Sequence, residues 1–199
     1  MGKFILTSTG LSAPKIKKKV AELIEPLAKN LAVIITTASE GKEQNKYCLL
    51  AKLQLLELGF KEVLFLDLES EGIQKLSNAA VVYVSGGNTF KLMKFAKERN
   101  FDSVIKTIAN TNTFFIGVSA GSIILGKSIE IAGIAGGDVN EVELKDLSGF
   151  GLINNDIYPH YMETQEQEIK KYENKYNVKV LRITDDEAII YDDKLSYIK

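Results

Sequence analysis

The residues best able to do chemistry stand at a predicted sharp turn, in the motif Gly-x-Ser-x-Gly at residues 117–121. An apolar run, Phe114–Ile116, precedes the motif, and a second one, Ile123–Leu125, follows it. This context predicts a strand that turns directly into a helix, with the serine in a strained backbone position that exposes its hydroxyl. A glycine is expected on each side because a Cβ there would collide with neighbouring chain. Ser119 is therefore a candidate nucleophile.

A serine hydroxyl is a weak nucleophile until a base removes its proton, and the chain contains a single histidine, His160. Imidazole is the side chain whose ordinary pKa lies closest to neutral pH. His160 lies between a predicted strand and a predicted helix, as Ser119 does. We expect it to serve as the base, the alternative being a packed or solvated histidine with no chemical role.

A second glycine turn, Ser85–Thr89, also lies between a predicted buried strand and a predicted helix. Ligands of parallel sheets bind at the carboxyl ends of the strands, so this turn and the serine motif should face the same site. The turn lacks the Lys-Ser/Thr ending of a nucleotide-binding loop. We expect the N–H groups of Gly87 and Ala120 to form an oxyanion hole, the alternative being a purely structural turn.

Short apolar runs that predict strands alternate with segments of helical periodicity. The predicted strands are 4–7, 32–36, 63–66, 80–84, 114–118, 180–183, 187–190 and 195–198. The predicted helices begin near residue 12, run from about 43 to 58, and cover 71–76, 89–97, 102–108 and 163–176. Residues 131–152 contain several glycines without a clear period and are expected to form short strands and loops. The alternation predicts an α/β fold of three layers, a mostly parallel sheet with helices on both faces.

Composition limits the class of protein. A chain of 199 residues that is 45% apolar fits one catalytic domain spanning residues 1–199. Twenty-five basic against 26 acidic residues give a formal charge of −1, which argues against nucleic acid or an anionic membrane as partner. A single cysteine in an apolar stretch, Cys48, is typical of a reducing compartment, and with no long apolar segment the expected location is the cytoplasm. One histidine and one cysteine without clustered spacing predict no metal and no cofactor.

The motifs together resemble the dipeptidase E family of serine peptidases. The turn Gly86-Gly87-Asn88-Thr89-Phe90 is similar to that family's Gly-Gly-Asn-Thr-Phe loop, residues 117–121 to its Gly-x-Ser-Ala-Gly elbow, and residues 159–161 to its Pro-His-Phe segment. The resemblance implies a fold like that of class I glutamine amidotransferases. It also implies a small peptide substrate, Ser119 as nucleophile, His160 as general base and then acid, and the Gly87 and Ala120 amides as oxyanion hole.

The resemblance leaves the third member of the triad open. Asp138 has about the family's separation from the histidine and follows a glycine pair, so we favour it for orienting the imidazole. Glu141 is the next candidate, followed by Asp156 and Glu187. Any of these acids could instead be a solvated loop residue.

One position departs from the family pattern. Where dipeptidase E has an arginine thought to hold the substrate's aspartate side chain, this chain has Gln165. A neutral amide cannot reproduce the bidentate contact of an arginine with a carboxylate, so strict preference for an N-terminal aspartate is in doubt. Asn88 and Gln165 remain the candidate substrate-binding residues.

Two other activities fit the same residues. An esterase would use the same triad on a different substrate, and a non-catalytic relative would keep the pocket as a small-molecule binding site. An amidotransferase is disfavoured because its nucleophile is a cysteine at the elbow, whereas Cys48 lies elsewhere. The sequence leaves the oligomeric state undecided.

Overall fold

The computed structural model describes residues 3–199 as a seven-stranded sheet with helices on both faces and a separate two-stranded sheet. The strands are β1 Lys3–Thr7, β2 Leu31–Ile35, β3 Glu62–Leu66, β4 Val81–Val84, β5 Phe114–Val118, β6 Asp156–Tyr158, β7 Val180–Arg182, β8 Ala188–Tyr191 and β9 Leu195–Ile198. The α-helices are α1 Pro14–Ile24, α2 Lys46–Glu57, α3 Thr89–Glu98, α4 Phe101–Ala109, α5 Ala120–Ile123 and α6 Glu166–Tyr176. This confirms the predicted α/β class.

The main sheet has the strand order β3-β2-β4-β5-β1-β8-β9. Its first five strands are parallel, whereas β8 and β9 are antiparallel additions beside β1. The strands β6 and β7 pair in parallel as the smaller sheet. Because β1 and β4 both flank β5, the carboxyl ends of these three strands meet at one edge, where the loops of the site begin.

Apolar side chains fill both faces of the main sheet. One cluster includes Val82 and Val84 of β4 together with residues of α3, α4 and α6, and it is the larger of the two. The other includes Val81 and Tyr83 of the same strand together with residues of α1 and α2. Alternate residues of one strand thus enter opposite cores, as expected of an interior strand covered on both sides. Within residues 3–199, no helix has the length and apolar character needed to cross a bilayer.

Two segments differ from the sequence-based expectation. Helix α2 begins at Lys46 rather than near residue 43, after a short 3₁₀ turn at Lys42–Gln44. Its leucine-rich face points outward, because Leu53 is 57% exposed while the small side chains of Cys48 and Ala51 pack inward. Residues 131–152 contain the end of a 3₁₀ turn and one isolated bridge to residue 128, but no strand.

One buried hydroxyl joins β1 to the serine turn. Ser122, at 0% exposure, lies 2.9 Å from the carbonyls of both Thr7 and Gly117, either of which can accept its one proton, and it accepts from the Thr7 amide at 3.0 Å. A hydroxyl with these partners satisfies groups of the strand end that water does not reach.

We therefore expect Ser122→Ala to lower the free energy of unfolding by about 1–3 kcal/mol, because the Thr7 amide loses a partner in a buried place. Urea unfolding followed by circular dichroism measures the change. Ser196→Ala, on the exposed face of β9, is the matched control and should change stability by less than about 0.5 kcal/mol. Equal effects of the two substitutions would contradict the assigned role of Ser122.

Candidate active site

The turn between β5 and α5 has the geometry expected for an exposed nucleophile. Ser119 has φ 49° and ψ −108°, a backbone conformation that costs a non-glycine residue about 1–3 kcal/mol. Its amide donates to the Thr7 carbonyl at 2.9 Å, and its own carbonyl accepts from Ser122 and Ile123 at the start of α5. These bonds hold the serine in the strained position between the end of the strand and the helix.

Both glycines of the motif are required by close packing. A Cβ on Gly117 would overlap the carbonyl of Gly121, and a Cβ on Gly121 would overlap the carbonyl of Val84 in β4. No rotation of a side chain relieves an overlap with backbone. Glycine at these two positions therefore allows the sharp turn to sit against the neighbouring strand.

The second glycine turn lies directly against the serine. A Cβ built on Gly86 would be 3.1 Å from the Ser119 Cβ, and Gly87 has φ 134°, which strongly favours glycine. A Cβ on Gly87 would also overlap the Ala38 carbonyl. The Gly87 amide makes no hydrogen bond to another group within residues 3–199, and the Ala120 amide opens α5, where helix geometry offers no partner. Two donors beside the serine are thus left for a ligand.

His160 contacts a carboxylate that the sequence analysis did not select. Its Nδ1 lies 2.7 Å from Oδ1 of Asp185. The histidine follows β6 and the aspartate follows β7, and these two strands pair in parallel with Tyr158 opposite Arg182. Their carboxyl ends therefore meet at one edge, which brings the two following loops together.

The residues that follow β1 fix both loops. Ser8 Oγ accepts from the His160 amide at 2.9 Å and lies 3.0 Å from the Ile183 carbonyl, to which it donates. Thr9 Oγ1 donates to the Asp185 carbonyl at 2.9 Å. The backbone positions of the histidine and its carboxylate partner are therefore both set by the strand end that also holds the serine turn.

The His160–Asp185 pair is open to solvent. The side chains are 50% and 62% exposed, so water screens the attraction between them and the pair stabilises the fold little. The hydrogen bond nonetheless selects the imidazole tautomer with its proton on Nδ1, which leaves Nε2 free to accept a proton. A ligand that covered the pair would strengthen this bond by removing water from it.

Ser119 and His160 line the same cavity, of about 410 Å³. Gly86 and Gly87 line it too, together with polar side chains of the β1–α1 loop and residues of α2. The cavity is in the size range of sites that hold a small molecule. The nucleophile candidate, the base candidate and Gly87 thus line one partly open cavity.

The sequence model of Peptidase family S51 matches residues 4–198 of this chain. The chain belongs to peptidase family S51. Family membership makes it a serine-type peptidase, a hydrolase, as the residues of the elbow indicate.

Proteins of similar sequence agree with this family. An uncharacterized peptidase of Listeria monocytogenes is 30% identical over 160 residues, which cover 76% of this chain and 78% of that protein. Peptidase E of Shewanella denitrificans is 24% identical over 163 residues, covering 81% of this chain and 67% of the relative. Peptidase E of Escherichia coli is 30% identical over 111 residues, covering 50% and 45% respectively.

Solved structures show the same fold. A crystal structure from Listeria monocytogenes, provisionally assigned as a peptidase E, superposes with a TM-score of 0.80 at 25% identity, covering 100% of this chain and 98% of the other. A peptidase from an acI-B1 actinobacterium superposes with a TM-score of 0.69 at 21% identity, covering 100% and 87%. The second likeness speaks for the fold alone.

Asp138, the acid chosen from the sequence for the S51 triad, does not contact the histidine ring. Its Oδ2 accepts from the Thr89 amide at 2.8 Å, in the first turn of α3. A carboxylate there stabilises a helix N-terminus, where amides lack partners and the dipole favours negative charge. The contact of Asp138 therefore indicates a role in stabilising the start of α3.

The other three acids also lie away from the ring. Asp156 is fully buried and accepts from the Ser128 amide and the Tyr172 hydroxyl. Glu187 accepts from the Thr184 hydroxyl at 2.9 Å, and Glu141 is exposed in the loop after α5. These contacts give Asp156 and Glu187 structural roles, the latter next to the Asp185 loop.

The two predicted substrate-binding side chains are used within the protein. Asn88 accepts from the Lys91 amide at 2.9 Å and donates to the Val139 carbonyl at 2.8 Å, so it caps α3. Gln165 Oε1 accepts from the Met162 amide at 2.9 Å. Neither residue lines the cavity that contains Ser119.

An arginine near the site does not replace the one missing from the family pattern. Arg182 donates to both carboxylates of Glu166 and Glu173 and to the Val180 carbonyl, at 2.7–3.1 Å. These bonds occupy all three of its nitrogens. The guanidinium therefore has little capacity left to bind a substrate carboxylate.

The described residues also hold no cluster of three His, Cys, Asp or Glu side chains suited to a metal.

The Arg182 network makes stability depend on pH. Hydrogen bonds from the guanidinium lower the pKa of Glu166 and of Glu173 in the folded protein. A lowered folded pKa adds stability above the unfolded value of about 4.3, and this contribution is lost as the pH falls through the folded pKa. We expect Arg182→Gln to be less stable than the parent at pH 7, with a difference that narrows below about pH 4.

Urea unfolding at pH 7, 5 and 3.5 measures that difference. Lys18→Gln, an exposed lysine of α1 outside this network, is the control and should give a difference that is small at every pH. A stability gap for Arg182→Gln that stayed constant from pH 7 to 3.5 would show that packing, and not charge, explains its effect.

Proposed function

We propose that this S51 peptidase cleaves short peptides through an acyl-enzyme on Ser119, with His160 as the base and Asp185 as the residue that orients it. The observation that carries the proposal is that the strained serine and the chain's single histidine, which is bonded to a carboxylate at 2.7 Å, line the same cavity. The hydrogen bonds of the described residues include none between these two side chains, so the substrate complex must bring the hydroxyl to the imidazole. A nucleophile, a base and a third group that orients the base are the parts that covalent hydrolysis needs.

The mechanism begins with attack of the Ser119 hydroxyl on the peptide carbonyl while His160 Nε2 accepts the hydroxyl proton. Asp185 stabilises the imidazolium that results and keeps Nδ1 protonated. The imidazolium then gives its proton to the leaving amine as the C–N bond breaks. Water attacks the acyl-enzyme by the same two steps, which releases the acid product and restores the serine.

The developing negative charge on the carbonyl oxygen needs fixed donors. The amides of Gly87 and Ala120 are the candidates, because Gly86 packs against Ser119 and neither amide has a partner in secondary structure. Removal of one such donor in other hydrolases costs about 3 kcal/mol of barrier. Backbone donors cannot be deleted by substitution, so their role is supported by geometry alone.

The size of the cavity supports short substrates. A volume of about 410 Å³ holds a ligand of a few residues, and His160 at its rim is half exposed. A dipeptide would place its scissile bond over Ser119 and cover the histidine, which removes water from the proton-transfer path. We therefore infer dipeptidase activity. An esterase that used the same residues would cleave esters and leave dipeptides intact.

Reaction with a fluorophosphonate probe separates a working nucleophile from an inert serine. We expect rapid labelling of the native protein and none of Ser119→Ala, because only a hydroxyl next to a base reacts quickly. The same two proteins are then given a panel of dipeptides and a panel of small esters. Equal dipeptide hydrolysis by both proteins would reject Ser119 as the nucleophile, and ester hydrolysis without dipeptide hydrolysis would favour the esterase.

Two matched substitutions distinguish the carboxylates. Asp185→Asn should lower kcat by about 10²–10⁴-fold, because the amide no longer favours the imidazole tautomer or stabilises the imidazolium. Asp138→Asn should leave kcat within about threefold and lower the melting temperature, since its contact is with a helix N-terminus. The reverse pattern would assign the triad to Asp138.

A further inference from the structure

A tyrosine hydroxyl in the cavity has no partner in the protein. Tyr83 lies in β4, lines the cavity and is 5% exposed, yet its hydroxyl makes no hydrogen bond to any group within residues 3–199. Among the described residues that are not surface-exposed, only one side-chain polar atom is both inaccessible and without a hydrogen bond, and that atom is Thr89 Oγ1. The Tyr83 hydroxyl also has no hydrogen bond, so it must be accessible. The exposed part of Tyr83 therefore includes its hydroxyl, which faces the cavity.

The position of this hydroxyl is close to the serine turn. A Cβ on Gly10 would overlap it and would also lie 3.2 Å from Cγ2 of Val118, the residue before Ser119. Burial raises the pKa of Tyr83 far above neutral, so the phenol keeps its proton and can donate. A ligand that displaces water from this hydroxyl must replace the lost hydrogen bond, which favours a ligand with an acceptor at that point.

Gln54 of α2 supplies the complementary group. It is 9% exposed and lines the same cavity. Its Nε2 donates to the Leu11 carbonyl at 3.1 Å, which fixes the orientation of the amide. Its Oε1 accepts from no group within the described chain and is accessible by the same reasoning as for Tyr83. The cavity thus presents one free donor and one free acceptor on buried side chains.

The side chains that line the cavity are nearly all uncharged, which disfavours an acidic substrate side chain. None of the described residues that line it is lysine or arginine, and the one carboxylate among them belongs to Glu40, which is exposed. A substrate side-chain carboxylate placed against Tyr83 and Gln54 would lose water and find no lysine or arginine among the described lining residues to replace it. The free donor and acceptor instead suit a neutral group that carries both kinds of hydrogen-bonding atom.

We propose that the cavity recognises a carboxamide, so that the peptidase prefers asparagine or glutamine on the N-terminal side of the bond it cleaves. The Tyr83 hydroxyl donates to the carboxamide oxygen, and Gln54 Oε1 accepts from its NH₂ group. A carboxylate cannot donate to Gln54, and an aliphatic side chain satisfies neither residue. The preference in cleavage rests on the proposed function, whereas the binding of the carboxamide can be measured without turnover.

Binding to Ser119→Ala therefore tests the preference first. The dipeptides Asn-Leu, Asp-Leu and Leu-Leu differ only in the first side chain, and these three side chains have nearly the same shape. Calorimetric titration gives a Kd for each. We expect Asn-Leu to bind about 10-fold or more tightly than the other two, with Gln-Leu also tighter than Leu-Leu. Binding of Asp-Leu as tight as that of Asn-Leu, or of Leu-Leu as tight as both carboxamides, would overturn the proposal.

Removal of the hydroxyl alone tests Tyr83. In the Ser119→Ala background, Tyr83→Phe should weaken Asn-Leu about 10-fold and leave the Kd of Leu-Leu unchanged, which also shows that the variant is folded. Tyr191→Phe, on β8 outside the cavity, is the control and should keep the preference. Equal weakening of both dipeptides by Tyr83→Phe would reject Tyr83 as a specificity residue.

Turnover separates this proposal from the proposed function. A native enzyme that is labelled by the fluorophosphonate and cleaves Leu-Leu as fast as Asn-Leu would retain the triad and refute the carboxamide preference. A protein that binds Asn-Leu selectively but is neither labelled nor active would refute the peptidase mechanism and keep the binding site. Selective cleavage of Asn-Leu, reduced by Tyr83→Phe in kcat/KM, supports both.

Discussion

The carboxyl end of β1 is the constraint on which the candidate site depends. The Thr7 carbonyl accepts a hydrogen bond from the Ser119 amide, and the Thr7 backbone is also hydrogen-bonded to the Ser122 hydroxyl. These bonds hold the turn that carries Ser119. The next two residues, Ser8 and Thr9, hold the loops that carry the histidine and its carboxylate. Two parts of the chain that belong to different sheets therefore share one anchor. The anchor is central because β1 pairs with β5 on one side and β8 on the other.

This anchor explains how a strained serine is maintained. A conformation with φ 49° costs about 1–3 kcal/mol, and it persists only where the surroundings leave no relaxed alternative. Here Gly121 packs against β4, Ser119 is bonded to β1, and Ile124 and Leu125 are completely buried beyond the turn. Relaxation of the serine would break its hydrogen bond to β1 and disturb the packing of the turn against β4. The core on both faces of the sheet thus keeps the hydroxyl presented to the cavity.

Local sequence patterns predicted the fold class and the elbow because both depend on neighbours along the chain. Alternating strands and helices gave the sheet, and glycine spacing gave the turn. Asp185 was missed because its role follows from the parallel pairing of β6 with β7, a contact between distant segments. The exposure of the leucine-rich face of α2 likewise depends on contacts between distant segments. Periodicity shows that Leu53 and its neighbours share a face, but only the packing of Ala51 and Leu55 decides which face is buried.

Few charged groups in and around the site are available to a ligand, so the proposed recognition depends on neutral groups. The guanidinium of Arg182, on the strand that leads to Asp185, is saturated by two glutamates, and the cavity itself contains no cation among the described residues. Hydrogen bonds between neutral partners are weak in water and gain strength when water is excluded. The half-exposed His160 and Asp185 pair has the same dependence, since a bound ligand must cover it before the attraction counts. In the proposed mechanism, substrate fit and proton transfer are therefore coupled, because the ligand that fills the cavity also removes water from His160 and Asp185.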